Sequence, residues 1–517
     1  MPFSAFQPHA PTRILLTAAE AYPALEQLFL SARQEIWASF LVFDLTTELR
    51  STEGRRVGQT WFDLMVHTLR RGVAVHMVIS DFDPIVRPDL HRNSWRSARM
   101  FWSAAEMAGP AAKLDMKVAL HPSETGLLPR LAVWPLAMHK VHCLAKGLNA
   151  KEPALRANAL RDMPLARKAL TERADGTLRP RWAQLPRLYP GVHHQKLAVF
   201  DRARLYIGGL DLDERRYDTP DHKRPGSDTW HDVQLISEGP VVAEAQAHLE
   251  SFLAVTAGQT PPPRQRRFLR TLSRQRRLQL PFFGPRPVLQ EIATAHEALT
   301  ARAERLIYVE SQYFRDTDYA HYLAAAAIRN PRLTMILTLP AAPEEVAFEK
   351  ARGLDDRYGE YLQARALRIL QKGFGPRLFV GGAAQPRRTL EKGRAQMLGA
   401  PLVYIHAKVS IFDGRSAIVS SANMNGRSLR WDTEAGVFLN KAAEVADLHR
   451  RILGHWLPKD AGEAYFKLET AQQAWAQLAL SNARKPAEQR RGFILPYDIR
   501  IAEKFGQMLP GIPEEMC

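Results

Sequence analysis

Two short stretches carry residue types that can attack and protonate a phosphate ester. His194-Gln195-Lys196 is followed by Asp201, and His406-Ala407-Lys408 by Asp413, at identical spacing. Apolar residues alternate with polar ones in both copies, which predicts a strand and sets His and Lys on one face. A nucleophile and a cation then point together. Asp201 and Asp413 fall where each strand should turn. Another apolar segment follows, and then small residues: Gly208-Gly209-Leu210-Asp211 in one copy, Ser420-Ser421-Ala422-Asn423 in the other. Small side chains let a ligand approach closely. A lone His-x-Lys would most simply be a core histidine, but the duplication argues for function. Double displacement at a phosphodiester needs a neutral imidazole to attack phosphorus, an imidazolium to protonate the leaving oxygen, and cations on the nonbridging oxygens. Two His-Lys units supply these parts with no metal and no cofactor.

The elements that must position these residues are duplicated as well. HHQKLAVFDRARLYIGGLD from His193 and IHAKVSIFDGRSAIVSSAN from Ile405 are two versions of one element. Upstream of them, IWASFLVFD from Ile36 matches IYVESQYFRD from Ile307, both rich in the β-branched and aromatic residues that suit buried strands. Each leads into an amphipathic segment, near Trp61 to Leu69 and Tyr319 to Ile328, and then into another apolar run, Val73 to Ile79 and Leu333 to Leu339. Strand, helix, strand therefore occurs twice. The reading is an α/β chain: a first lobe over 1–255, a Pro/Arg-rich linker over 256–286 and a second lobe over 287–517. Roughly sixty extra residues in the first lobe form an insertion at about 125–190, expected to cover or shape the cleft. In the linker, Arg264, Arg266, Arg267, Arg270, Arg274, Arg276 and Arg277 read either as a solvated face or as an anion contact.

Composition sets outer bounds. The 517 residues, 46% hydrophobic and 24% charged, are too many for one ordinary core and too ordinary for a fibrous or membrane-embedded chain. An excess of Lys and Arg, 71 against 54 acidic residues, gives a net charge of +17 that favours polyanions such as anionic lipid headgroups or nucleic acid; it also fits mere solubility. With only Cys143 and Cys517, a disulfide framework is not expected and a reducing compartment fits. No signal peptide is apparent and no run of 18 apolar residues occurs, so a cytoplasmic or peripheral membrane location is expected. Non-standard secretion stays open.

The doubled His-x-Lys-x4-Asp motif resembles that of the phospholipase D superfamily, and the likeness extends over nearly the whole chain. YIGGLDLDERRYDT is similar to a segment of the eukaryotic-type, phosphatidylcholine-hydrolysing enzymes, as are IYVESQYF from Ile307, TWHDVQLISEGPVV from Thr229 and SSANMNGRSLRWDTEAGV from Ser420. The resemblance implies two α/β/α sandwich lobes related by pseudo-twofold symmetry, with the active site in the interlobe cleft. It implies a phosphohistidine at His194 and acid/base work by His406, with Asp201 and Asp413 counted in the catalytic motif. Lys196, Lys408 and Asn423 would bind phosphate, and Asp232 and Glu434, read as following their own histidines, would fix imidazole tautomers. Asp211 stands where the other copy has Asn423; a carboxylate repels phosphate, so a backbone hydrogen bond is expected there instead. Ser311 replaces an Asn of the family pattern and Ser420 a Gly. Glu310 and Gln312 read equally as groups supporting the site or as strand-end polar residues.

The activity implied is hydrolysis of a glycerophospholipid to phosphatidic acid and free headgroup, with alcohol in place of water giving transphosphatidylation. A cardiolipin synthase-like phosphatidyltransferase or a nuclease uses the same chemistry. A noncatalytic protein binding anionic lipid or nucleic acid is the alternative of another class. The expected partner is a phospholipid at a membrane surface, met by a monomer; Phe282 and Phe283 beside the basic linker are either a surface contact or a buried interlobe one.

Overall fold

The computed structural model describes residues 12–349 and 351–517. The first eleven residues, which the sequence reading placed in the first lobe and in which it saw no leader, lie outside the described residues.

Seven strands make the first sheet: β1 (Arg13–Leu16), β2 (Glu35–Phe40), β3 (Ala74–Ser80), β4 (Leu114–Ala119), β5 (Leu197–Phe200), β6 (Arg204–Gly208) and β7 (Val233–Glu238), in the order β1-β7-β6-β5-β2-β3-β4. The second has nine: β8 (Phe268–Arg274), β9 (Arg286–Gln290), β10 (Leu306–Glu310), β11 (Thr334–Thr338), β12 (Leu378–Ala383), β13 (Val409–Phe412), β14 (Ser416–Ser420), β15 (Glu434–Leu439) and β16 (Ile494–Pro496). Their order is β9-β8-β15-β14-β13-β10-β11-β12-β16. Without the edge strands β9 and β16, the second order repeats the first strand for strand, including the parallel trios β2-β3-β4 and β10-β11-β12.

Parallel strands need crossovers, and helices supply them. Trp61–Arg70 and Pro88–Ala108 serve the first sheet, Thr317–Arg329 and Leu354–Phe374 the second. The first helix of each pair is capped at its start: Asp63 accepts from the Thr60 amide at 2.9 Å and Asp316 from the Tyr319 amide at 2.7 Å.

Side chains alternate between the faces of each sheet. Leu197, Val199, Leu205 and Ile207 enter one cluster with helix Pro240–Thr256, while Ala198, Phe200 and Tyr206 enter another with helices Thr17–Ser31 and Trp61–Arg70. The second lobe behaves alike, with Val409, Ile411 and Val419 on one face and Ile307, Val309 and Phe412 on the other. Each lobe is thus an α/β/α sandwich. The first of these clusters takes residues from both sheets, so a single apolar layer joins the lobes.

Two expectations need correction. The stretch read as linker, 256–286, contains β8, which pairs with β15 as β1 pairs with β7. Its arginines hid a strand whose Phe268 and Leu272 are buried. Arg270 is itself 1% exposed, held bidentate by Glu291 at 2.8 and 2.9 Å, so it is neither solvated nor free for an anion. Phe282 is exposed beneath the Arg276 guanidinium, 4.1 Å from its ring centroid, rather than buried between lobes. The insertion forms helices Leu127–Ala132, Trp134–Asn149 and Pro153–Arg161 around a small core of its own. Among the described residues no helix is long and apolar enough to cross a membrane.

Candidate active site

The two motif segments do not lie within their strands. β5 starts at Leu197 and β13 at Val409, just after each lysine. The preceding backbone bonds across the lobe seam instead: the His194 amide donates to Thr433 O at 2.9 Å, and the His406 amide to His231 O at 2.8 Å. Parallel bridges His193↔Thr433 and His231↔Ile405 mark these crossings. A backbone amide bonded to the other lobe cannot also join its own ladder, which explains why an alternating pattern stops short of being a strand.

The same crossing brings each histidine a carboxylate from the opposite lobe. Glu434 accepts from His194 Nδ1, its two oxygens at 2.9 and 3.1 Å, and Asp232 lies 2.6 Å from His406 Nδ1. Order along the chain assigns each carboxylate to the histidine it follows; the structure exchanges the partners, because Thr433 and His231, one residue earlier, pair with the other lobe's motif. With Nδ1 engaged, Nε2 of each ring is left for chemistry. His194 keeps 15% of its side-chain surface exposed and His406 6%. Lys408 Nζ also lies 2.9 Å from His406 Nδ1 and bonds the His406 carbonyl. Nδ1 cannot both donate to Asp232 and accept from Lys408; the shorter contact to a buried carboxylate assigns the proton to Nδ1.

Lys196 bonds the His194 carbonyl and lies 3.7 Å from Asp211 Oδ2. Asp211 does accept a backbone hydrogen bond, from Val42 at 2.9 Å, and it is also paired with Arg216. Burial pushes Asp211 upward, yet Lys196 and Arg216 together hold it below its ordinary value. It serves as a buried counter-charge rather than a phosphate ligand.

Burial, reinforced by Lys196, pushes the His194 imidazole well below the usual value; burial and then Lys408 do the same to His406. Lys408 is pushed down by burial to about 7, against the pull of Asp232, and Glu434 is pushed up by burial to about 7, against Lys196. Asp232 is raised by burial as well, opposed chiefly by Lys408. A desolvated cluster of this kind favours neutral forms, and an anionic phosphodiester would give its lysines the counter-charge they lack.

Asp201 and Asp413 are not brought to the site. Both sit at positive φ beyond the far ends of β5 and β13. The Asp201 carboxylate accepts from the amides of Arg33, Gln34 and Glu35 at 2.8 to 3.0 Å, and Asp413 from those of Glu304, Arg305 and Leu306 at 2.7 to 2.9 Å. They pin the starts of β2 and β10. Asn423 donates to Gln312 at 3.2 Å, while its buried Oδ1 has no hydrogen-bond partner. Glu310 is fully buried, bonded by Tyr308 and Trp456 at 2.9 and 3.1 Å, so it is no solvated strand end.

Three neighbours escaped the sequence reading. Trp230 packs against His406 at a tilt, with ring centroids 4.5 Å apart, Arg216 lies over Trp230 at 5.0 Å, and Asp432 accepts from the Val192 amide at 2.9 Å beside His194. All three lie inside segments that carry the resemblance, YIGGLDLDERRYDT, TWHDVQLISEGPVV and SSANMNGRSLRWDTEAGV, so that likeness was the available signal.

A family model described as "Cardiolipin synthase, PLD-like domain" matches residues 297–456. A cardiolipin synthase of Geobacillus kaustophilus is 26% identical over 270 residues, covering 50% of this chain and 45% of that protein. Phospholipase D alpha 1 of Carica papaya is 22% identical over 366 residues, covering 46% and 44%. The chain thus spans less than half the length of these curated relatives. Among solved structures, the phosphatidylserine synthase of Haemophilus influenzae aligns with a TM-score of 0.48 at 12% identity, over 94% of this chain and 97% of that one. With its motif doubled and the two copies bound across one seam, the chain is similar in sequence to these phospholipase D-superfamily relatives.

Proposed function

We propose that the protein is a phospholipase D-type phosphodiesterase that cleaves a glycerophospholipid to phosphatidic acid and free headgroup. The observation that carries this reading is the crossed pair of imidazoles, each with Nδ1 on the other lobe's carboxylate and each beside a buried lysine. In the first step His194 Nε2 attacks phosphorus, the bond to the headgroup oxygen breaks, and His406, charged as an imidazolium in the complex with the anionic phosphodiester and so carrying a second proton on Nε2, gives that proton to the oxygen. In the second, His406 takes a proton from water, the water oxygen attacks phosphorus, and the bond to His194 breaks. Lys196, Lys408 and Asn423 hold the nonbridging oxygens. Asp232 and Glu434 act through the rings they orient and are positioning residues.

The names of the relatives favour a second reading, phosphatidyl transfer, in which an alcohol replaces water in the second step. Mass spectrometry of products from a panel of phospholipids, cardiolipin precursors and oligonucleotides, with a primary alcohol present, separates the cases. Phosphatidic acid as main product supports hydrolysis, lipid-alcohol adducts support transfer, and cleavage of oligonucleotides alone would sink both.

Contact with a membrane surface is part of the proposal. Leu127, Leu128 and Leu131 are exposed on the insertion and abut Leu278, Leu280 and Phe282, also exposed, through Gly126 N to Phe282 O at 2.8 Å and Leu128 N to Leu280 O at 3.1 Å. Arg276 and Arg277 flank this apolar face, as suits an anionic bilayer. Leu128→Asp should weaken sedimentation with anionic vesicles while leaving turnover of a short-chain, monomeric substrate unchanged. Equal loss of both would contradict a docking role.

A further inference from the structure

Behind His406 lies a second group of imidazoles that the proposed chemistry does not use. His222, His231 and His455 each offer a ring nitrogen, and the three atoms lie within 4.8 Å of one another. His222 Nε2 is 2.9 Å from His455 Nε2, and its Nδ1 is 2.7 Å from the Asp218 carboxylate. His231 is fully buried and stacks on His455 with centroids 4.4 Å apart, and neither of its nitrogens has a hydrogen-bond partner. Its Nε2 comes within 2.7 Å of Glu310 Oε1, yet not along a hydrogen-bonding direction, and that oxygen is also without a partner. A buried imidazole and a buried carboxylate oxygen left unsatisfied side by side call for a ligand that the protein atoms do not supply.

We propose that His222, His231 and His455 form a site for one divalent transition-metal ion of the zinc class, which ties the first lobe's 218–232 segment to the second lobe. Imidazoles bind metal in their neutral form, and burial holds both His222 and His455 below the ordinary histidine value. Asp218 on Nδ1 of His222 is the carboxylate that orients a metal-bound imidazole and raises its basicity. Glu310, against His231, adds the negative charge a dication needs in a buried place. His455 ends helix Ala442–Trp456 and is partly exposed, giving a route of entry. The ion has a structural consequence for the catalytic cleft. The carbonyl of His231 accepts from the amides of His406 and Ala407 at 2.8 and 3.1 Å, and Asp232, which holds the His406 ring, is the next residue. The metal is therefore a positioning device for the acid/base histidine, and the site stands whether or not the substrate is a phospholipid.

The test uses the full chain, stripped with a chelator, dialysed, and titrated with Co²⁺ in one series and Zn²⁺ in another. The expected result is one equivalent of Co²⁺ bound per chain, with the visible d–d bands of a low-coordinate imidazole site, and a rise in melting temperature with Zn²⁺. Both should vanish in His455→Ala and in His455→Gln, which keeps the side chain's size if the smaller variant fails to fold. Both should persist in His449→Ala, a histidine on the same helix outside the group. A wild-type chain that binds no stoichiometric Co²⁺ overturns the proposal, leaving His455, His222 and Asp218 as a metal-free hydrogen-bonded relay. Stoichiometric binding that survives both His455 substitutions overturns it equally.

Discussion

A lysine that loses its proton near neutrality stops holding an anion, and Lys408, pushed down by burial to about 7, is such a lysine. KM is expected to rise as pH increases through about 7, because deprotonation removes the positive charge under the phosphate. Lys408→Arg, charged at every working pH, should flatten that rise in a KM-against-pH series; an unchanged slope would exclude Lys408 as its source. Glu434 makes the opposite kind of statement. Its folded value of about 7 exceeds the 4.5 of an unperturbed carboxyl, so the folded state holds a proton that the unfolded state has released, and stability falls as pH rises from about 4.5 to 7. The shift corresponds to about 3 kcal/mol at most. Glu434→Gln should therefore raise the melting temperature at pH 8 but not at pH 4, while lowering turnover at least about a hundredfold by releasing the His194 ring. At this scale the histidines and lysines were legible because they recur at one spacing. The exchange of Asp232 and Glu434 was not: the spacing from each histidine to its following carboxylate records order along the chain, not which lobe the side chain faces.

The Asp of each motif belongs to the scale of the strand. Asp201 and Asp413 gather three amides apiece at the entry to β2 and β10, the strands that pair with β5 and β13. Asp413→Ala should cost on the order of 1–3 kcal/mol by denaturant melt, since it strips the acceptor from those amides, and the fraction that folds should keep kcat within a few-fold. A kcat loss on the scale of His406→Ala would return this carboxylate to the chemistry. Strand, helix, strand was readable in both lobes from apolar periodicity, with Trp61–Arg70 and Thr317–Arg329 close to where the pattern put them. β8 was missed because the arginines and prolines around it read as a linker, and Arg270 is buried with the help of Glu291, a partner 21 residues away. The motif segments misled in the other direction, since alternation there reflects a seam between lobes rather than a ladder.

The lobes are one cooperative body on this account, because Leu197, Val199, Leu205 and Ile207 share a core with Val409, Ile411, Val419 and Val437. Calorimetry and tryptophan fluorescence should report a single coincident unfolding transition. Two separated transitions would show that the shared layer contributes little. Duplication predicted the two lobes; it did not predict that each would complete the other's active site, since only the folded seam brings Thr433 to His194 and His231 to His406. That seam sets His194 and His406 beside each other with different tasks; their division of labour is the central claim, and a burst experiment tests it most directly. The His406→Ala chain would be given a phosphatidyl ester of p-nitrophenol, whose leaving oxygen departs without a proton donor. The account predicts one equivalent of p-nitrophenolate per chain and then arrest, with the phosphatidyl group recovered on the peptide bearing His194. Continued turnover without a burst, or an adduct on any other residue, would contradict it.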